Sequence, residues 1–276
     1  MVEETRKLLT DFFGGPDPNR LCFGYNSTDA LNLAIFGLLQ PGDHAITTTL
    51  EHNSVLRPLY HLSLAGVKVD YVPFDSQGFI DPDDIKQKIK KNTRLVVVNQ
   101  ASNVIGTIQP VKEIGYLCRE KGITFLIDAS QSAGKIPINM KEMNIDVVAF
   151  TGHKSLLGPT GIGGLCVGPE ANIRITRAGG TGVRSAQRTH LEEYPWRLEY
   201  GTGNLLGIAG LNAGLKWVLA RGLDNIHEQE MKLTRMLVEG LKGLEGVTLY
   251  CQDHLDRHIG VISFNVTSLE AQDTGI

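Results

Sequence analysis

The segment AFTGHKSLLGPTGIGG, residues 149 to 164, ends an apolar run on a histidine and a lysine and follows them at once with glycines. A surface lysine needs no such setting, so the question is what the amine of Lys154 does. Burial disfavours an ammonium, lowers a lysine pKa and frees the amine for nucleophilic work. Asp128 closes a second apolar run, ITFLIDA (123–129), where an unpaired carboxylate would be costly. Its partner is a lysine, a metal or a ligand's protonated nitrogen, and a helix cap or ion pair would serve as well. Asn26-Ser27-Thr28 opens a helical pattern, where free N–H groups, two hydroxyls and the positive end of the dipole suit a phosphate. The same residues also make an ordinary N-cap. His52 and His153 lack metal spacing, and either one alone reads as a satisfied core histidine.

Read jointly, a lysine for an aldehyde, an aspartate for a pyridine nitrogen and donors for a phosphate are the groups that pyridoxal 5'-phosphate (PLP) requires. Two nucleotide motifs fail on inspection. In GHKSLLGPTGIGG the lysine precedes the glycine-rich loop, so the Walker spacing is absent. GTGNLLG (201–207) comes near GxGxxG, but Leu206 stands at the third glycine position.

The elements that must position these groups alternate along the chain. Strand candidates are 20–25, 44–49, 67–74, 94–100, 123–129, 146–151 and 163–168, with helical segments such as 29–39, 82–91 and 111–122 between them. Several strands are rich in Val and Ile without alternation, as in a sheet covered on both faces. The expected fold is therefore α/β with a mostly parallel central sheet. Ligands bind such sheets beyond the carboxyl ends of the strands. Five of those ends are rich in hydrogen-bonding groups: Asn26 to Asp29, Glu51 to Ser54, Ser102-Asn103, Asp128 with Gln131, and Thr151 with His153 and Lys154. After residue 200 two long helices, 208–222 and 225–246, lead to strand-like VTLYC and GVISFNV, the expected opening of a second domain.

Composition narrows the function classes. Of 276 residues, 42% are hydrophobic and 21% charged, with a formal net charge of −3, which gives no basic surface for nucleic acid. No apolar stretch is long enough to span a bilayer, and MVEETRKLLTDFFGG reads as a short amphipathic helix closed by glycines, without an apolar signal core. Cys22, Cys118, Cys166 and Cys251 show no CxxC pairing. Buried structural thiols, no metal site and a reducing cytoplasm are expected.

The ordered motifs NSTDALN, LEHNSVLRPL, ASNVIGTIQP, LIDASQSAGKIPI, AFTGHKSLLGPTGIGGL and RLEYGTGNLLGIAGL span essentially the whole chain. Together they resemble the class V aminotransferase family of fold-type I PLP enzymes, in its cysteine desulfurase and selenocysteine lyase branch. The resemblance implies a PLP-binding large domain over residues 1–217 and an incomplete, smaller α+β domain starting in 218–276. It implies that Lys154 bonds the cofactor, Asp128 partners the pyridine nitrogen, His52 stacks on the ring and Gln131 bonds its hydroxyl. Ser27, Thr28, Thr151 and His153 would hold the phosphate, and Asn103 would sit near the ring hydroxyl and the substrate carboxylate. Thr202 would reach the phosphate of a neighbouring subunit, which makes the protein a homodimer.

The implied reaction takes cysteine to alanine, with sulfur passing through a persulfide to an acceptor protein. The resemblance also implies that the chain lacks the family's N-terminal segment and the C-terminal part bearing the persulfide cysteine and the carboxylate-binding arginine. Gln100 replaces a usual histidine, and Gly203 replaces the proline of many desulfurases. Rival readings are another class V reaction on an amino acid (transamination, epimerisation, β-elimination or selenocysteine cleavage), a non-catalytic PLP-fold fragment, and a nucleotide-binding α/β protein.

Overall fold

The apolar runs become the seven strands of one sheet in a computed structural model that describes residues 1–274. They are β1 (Leu21–Gly24), β2 (His44–Thr48), β3 (Lys68–Val72), β4 (Thr93–Asn99), β5 (Thr124–Asp128), β6 (Val147–Thr151) and β7 (Gly163–Val167), in the spatial order β1-β7-β6-β5-β4-β2-β3. Pairing is parallel from β3 through β6, and β7 runs against both β6 and β1. β7 is thus the one reversed strand of the sheet, and the sheet is mostly parallel, as expected. The carboxyl ends of β1, β2, β4, β5 and β6 consequently share one edge.

Successive strand residues point to opposite faces, and both faces are covered. Leu95, Val97, Leu126, Val147 and Ala149 pack on one side with α2 (Ser27–Leu38) and α3 (Asn53–Leu64). Val96, Val98, Phe125, Ile127, Val148 and Phe150 pack on the other. There they meet α1 (Val2–Phe13), α4 (Pro82–Lys88), α5 (Val111–Lys121) and α6 (Leu205–Arg221). α7 (Leu223–Lys242) leads to a separate antiparallel pair, β8 (Val247–Tyr250) with β9 (Ser263–Val266). α1 closes on Gly14 at φ 63°, the left-handed C-cap that the glycines after its last turn foretell.

Two features differ from the sequence reading. The pattern did not single out α3, because Pro58 lies inside it and removes a backbone donor. Cys22, Cys118 and Cys166 are buried as expected, but Cys251 is only half-buried, in a turn after β8 at φ 53°. No helix of the described residues is long and apolar enough to cross a membrane.

Candidate active site

Strand ends set the floor of the site. β4 and β5 pair in register, so Asn99 lies beside Asp128, and the backbone N–H of Gln100 bonds the Asp128 carbonyl at 3.1 Å. Asp128 is 5% exposed. Its Oδ1 accepts from Ser27 Oγ at 3.2 Å, from the backbone N–H of Ser130 at 2.9 Å, and from the Ser130 hydroxyl. Its direct partners are therefore hydroxyl and N–H donors, as in the capping alternative, and not an arginine or lysine.

Two helices start over this floor. At α2, Asn26 caps by accepting the Asp29 N–H at 3.0 Å. Its start crosses directly over β7, where a Cβ on Gly163 would stand 2.8 Å from Asn26 Cα. At α3, His52 is the cap: its Nδ1 accepts the Ser54 N–H at 3.1 Å and lies 2.8 Å from Ser54 Oγ. A ring nitrogen that accepts carries no proton, so this network assigns the ring proton to Nε2. Thr28 Oγ1 and Ser54 Oγ are 2.7 Å apart and tie the two helix starts together.

The lysine loop leaves β6 and is fixed at both ends. Gly152 N–H bonds Ile162 O at 2.8 Å, Gly158 N–H bonds Gly152 O at 2.8 Å, and Leu157 N–H bonds Lys154 O at 3.0 Å. Thr151 Oγ1 and His153 Nδ1 lie 2.9 Å apart. Gly134, at φ 92°, lets the turn after Asp128 press on this loop, since a Cβ there would meet Ser155 O at 2.2 Å. Burial draws the Lys154 amine below its usual basicity; Asp128 opposes this, and the charge of Lys135 adds to it.

These parts enclose a crevice of about 220 Å³. Ser27, Thr28, His52, Asn103 and Asp128 line it, and so do Gln131, Thr151, His153 and Lys154. Nine of the ten residues singled out in the sequence are thus brought together. Thr202 is apart from them, exposed in a separate hollow of about 390 Å³ with Tyr25, Gly161 and Asn204. Asn103 is held through its loop. Ser102 N–H bonds Thr107 O at 3.1 Å, and Ile259 N–H reaches across to Gly106 O at 2.8 Å.

Asn26 and Ser54, marked in the sequence only as part of a helix start and a polar strand end, also line the crevice, and so do Asn99 and Ser130, which the sequence reading does not mark. Asn99 carried the same signal as Asp128, a polar residue ending the apolar run LVVV. Among the described residues no cluster of His, Cys, Asp and Glu could hold a metal. The donor set suits PLP chemically: an amine of depressed basicity and a buried carboxylate occur with hydroxyls at two helix N-termini.

The aminotransferase class-V family matches residues 1–276. A probable cysteine desulfurase of Pyrococcus abyssi is 38% identical over 279 residues, covering 98% of this chain and 69% of that protein. A cysteine desulfurase of Pectobacterium atrosepticum is 34% identical over 285 residues, covering 99% of this chain and 69% of that one. Among solved structures, the apo cysteine desulfurase of Thermococcus onnurineus superposes with a TM-score of 0.92 at 38% identity, covering 99% of this chain and 70% of that chain. The cysteine desulfurase CsdA of Escherichia coli gives 0.90 at 26% identity, covering 99% and 69%. The chain belongs to the aminotransferase class-V family, and within it is similar to cysteine desulfurases over nearly its whole length.

Proposed function

We propose that the crevice binds PLP and serves the cysteine desulfurase reaction, in which cysteine yields alanine and its sulfur passes to an acceptor protein. The observation that carries this reading is Lys154: an amine made less basic by burial shares a crevice with the Asp128 carboxylate. Bound PLP supplies an electron sink for the carbon next to the substrate amine. Lys154 would hold the cofactor's aldehyde group, and its Nζ, made less basic by burial, would be free to take the Cα proton of the substrate. Asp128 would keep a proton on the ring nitrogen. His52 would cover the ring face, and Gln131 would bond the ring hydroxyl. Asn103 would serve the ring hydroxyl and the substrate carboxylate. Ser27, Thr28, Thr151 and His153 would hold the phosphate with the two helix starts.

None of the four cysteines lines the crevice. Burial pushes each thiol up, Cys166 to about 12, so none of them is a ready thiolate to take the sulfur. Thr202 serves the phosphate of a second subunit in a homodimer; its exposure beside exposed Tyr25, Leu205 and Leu206 supports this. The large domain is proposed to end at residue 217, within α6. Four free cysteines fit a reducing cytoplasm.

The test is the visible absorption of the chain on PLP addition, followed by borohydride reduction and peptide mapping. A new band with the adduct on Lys154 is expected, and label spread over surface lysines would reject the site. With an added thiol, which takes the sulfur as a persulfide and reduces it to sulfide, alanine and sulfide formed from cysteine then separate desulfuration from transamination, which releases neither.

A further inference from the structure

Two buried carboxyl groups lie under the crevice in different surroundings. Asp128 collects three donors on Oδ1. Glu51, in the turn between β2 and α3, collects two, Thr48 Oγ1 at 2.7 Å and Asn99 N–H at 3.0 Å, both on Oε1. Glu51 Oε2 is buried without a partner, and so is Oδ1 of the adjacent Asn99. A buried carboxylate oxygen with no donor is costly, and a neutral hydroxyl in its place costs much less. Since both donors occupy Oε1, a proton on Glu51 resides on Oε2.

Charge points the same way. Asn99 joins the two acids, for its N–H bonds Glu51 while its residue pairs in register with Asp128. Burial pushes the Glu51 carboxyl up to about 8, against the hydrogen bonds of Thr48 and Asn99 and with help from the Asp128 charge. The titratable groups around Glu51 are Asp128 on β5 and, on its own turn, His52. An ionised Glu51 would add a second negative charge beside Asp128 and draw a proton to that pair instead of to a ligand.

We propose that Glu51 is a positioning residue of the site: with both its donors on Oε1 and Oε2 buried without one, its carboxyl stays uncharged, so that no second negative charge competes with Asp128 for a protonated ring nitrogen. This role rests on the PLP reading.

Infrared spectroscopy of the ligand-free chain should show a carboxylic-acid C=O stretch at neutral pH, absent from Glu51→Gln and fading in the unsubstituted chain as pH passes about 8. The stability consequence has a definite sign. The folded pKa lies above the ordinary glutamate value of 4.5, so the contribution of Glu51 is full below about 4.5, falls as pH rises and is lost by about 8. Glu51→Gln lacks this decline, so its denaturation midpoint should gain on the unsubstituted chain across that window. With PLP bound, the visible absorbance should shift as pH passes about 8 in the unsubstituted chain and stay constant in Glu51→Gln. A purely structural residue would not move that spectral step.

Absence of the acid band, or the same spectral step and stability slope in Glu51→Gln, overturns the proposal. If Glu51→Gln does not fold, the infrared band of the unsubstituted chain across pH decides alone. If PLP binds neither protein, the proposed function and this role fall together; if PLP binds and the acid band is missing, only the role of Glu51 falls.

Discussion

Thr28 Oγ1 and Ser54 Oγ stand 2.7 Å apart and join the first turns of α2 and α3, so two helix N-termini face one crevice through a single hydroxyl pair. The positive ends of two dipoles then act on the same small volume. Thr28→Ala should weaken PLP binding about tenfold, the cost of one hydrogen bond to a charged group. Binding of pyridoxal, which has no phosphate, should change by less than about twofold, because no anion faces the lost hydroxyl. Parallel absorbance titrations with the two ligands check this, and equal losses for both would place the phosphate elsewhere.

Lys154 gives a prediction about charge that needs no cofactor. Burial lowers its basicity and Asp128 partly restores it. The rate at which a small acylating reagent labels Lys154, mapped by peptide analysis, should reach half its maximum below the pH of about 10.4 typical of free lysine. Asp128→Asn should move that midpoint further down, because only the opposing charge is removed. An upward move would mean that Asp128 is not the charge the amine senses.

The strands were legible because burial on both faces leaves a simple mark, an apolar run with polar residues massed at one end. All seven appear within one or two residues of where the pattern put them. The same mark exposed Asp128, Thr151 and Lys154, each at the end of such a run. α3 is hidden by Pro58, whose missing donor is tolerated on the buried face of a half-exposed helix. Ser54 and Ser130 were passed over because a serine near a helix start or turn is common, and only the fold brings Ser54 to Thr28 and Ser130 to Asp128. Thr202, which the resemblance assigns to the phosphate of a second subunit, stands outside this crevice.

The glycine pair in β7 links fold to site. Gly163→Ala would set a methyl 2.8 Å from Asn26 Cα and 2.6 Å from Phe150 O, both backbone atoms that cannot rotate away. Overpacking of this kind costs about 1–3 kcal/mol, and here the strain falls on the first turn of α2. Both the thermal midpoint and PLP affinity should drop. Gly180→Ala, with nothing within 4 Å of the added methyl, is the control and should lie within about 0.5 kcal/mol of the parent.

Lys135 and Glu230 form an ion pair with side chains 14% and 25% exposed, tying the turn after β5 to α7. Lys135 follows the segment that carries Asp128 and Gln131, and its charge is one of those that lower the basicity of Lys154. Glu230→Ala leaves the Lys135 ammonium largely buried and unpaired, at a cost of about 1–3 kcal/mol. Adding Lys135→Met should recover part of that loss, since no lone charge then remains to be desolvated. The double variant has a second signature that mere repacking would not produce. With the Lys135 charge gone, the labelling midpoint of Lys154 should rise toward the ordinary lysine value, opposite to the shift from Asp128→Asn. Denaturation midpoints with the same acylation titration measure both effects. A double variant that recovers stability without moving the midpoint would show that Lys135 braces the turn and leaves the amine alone.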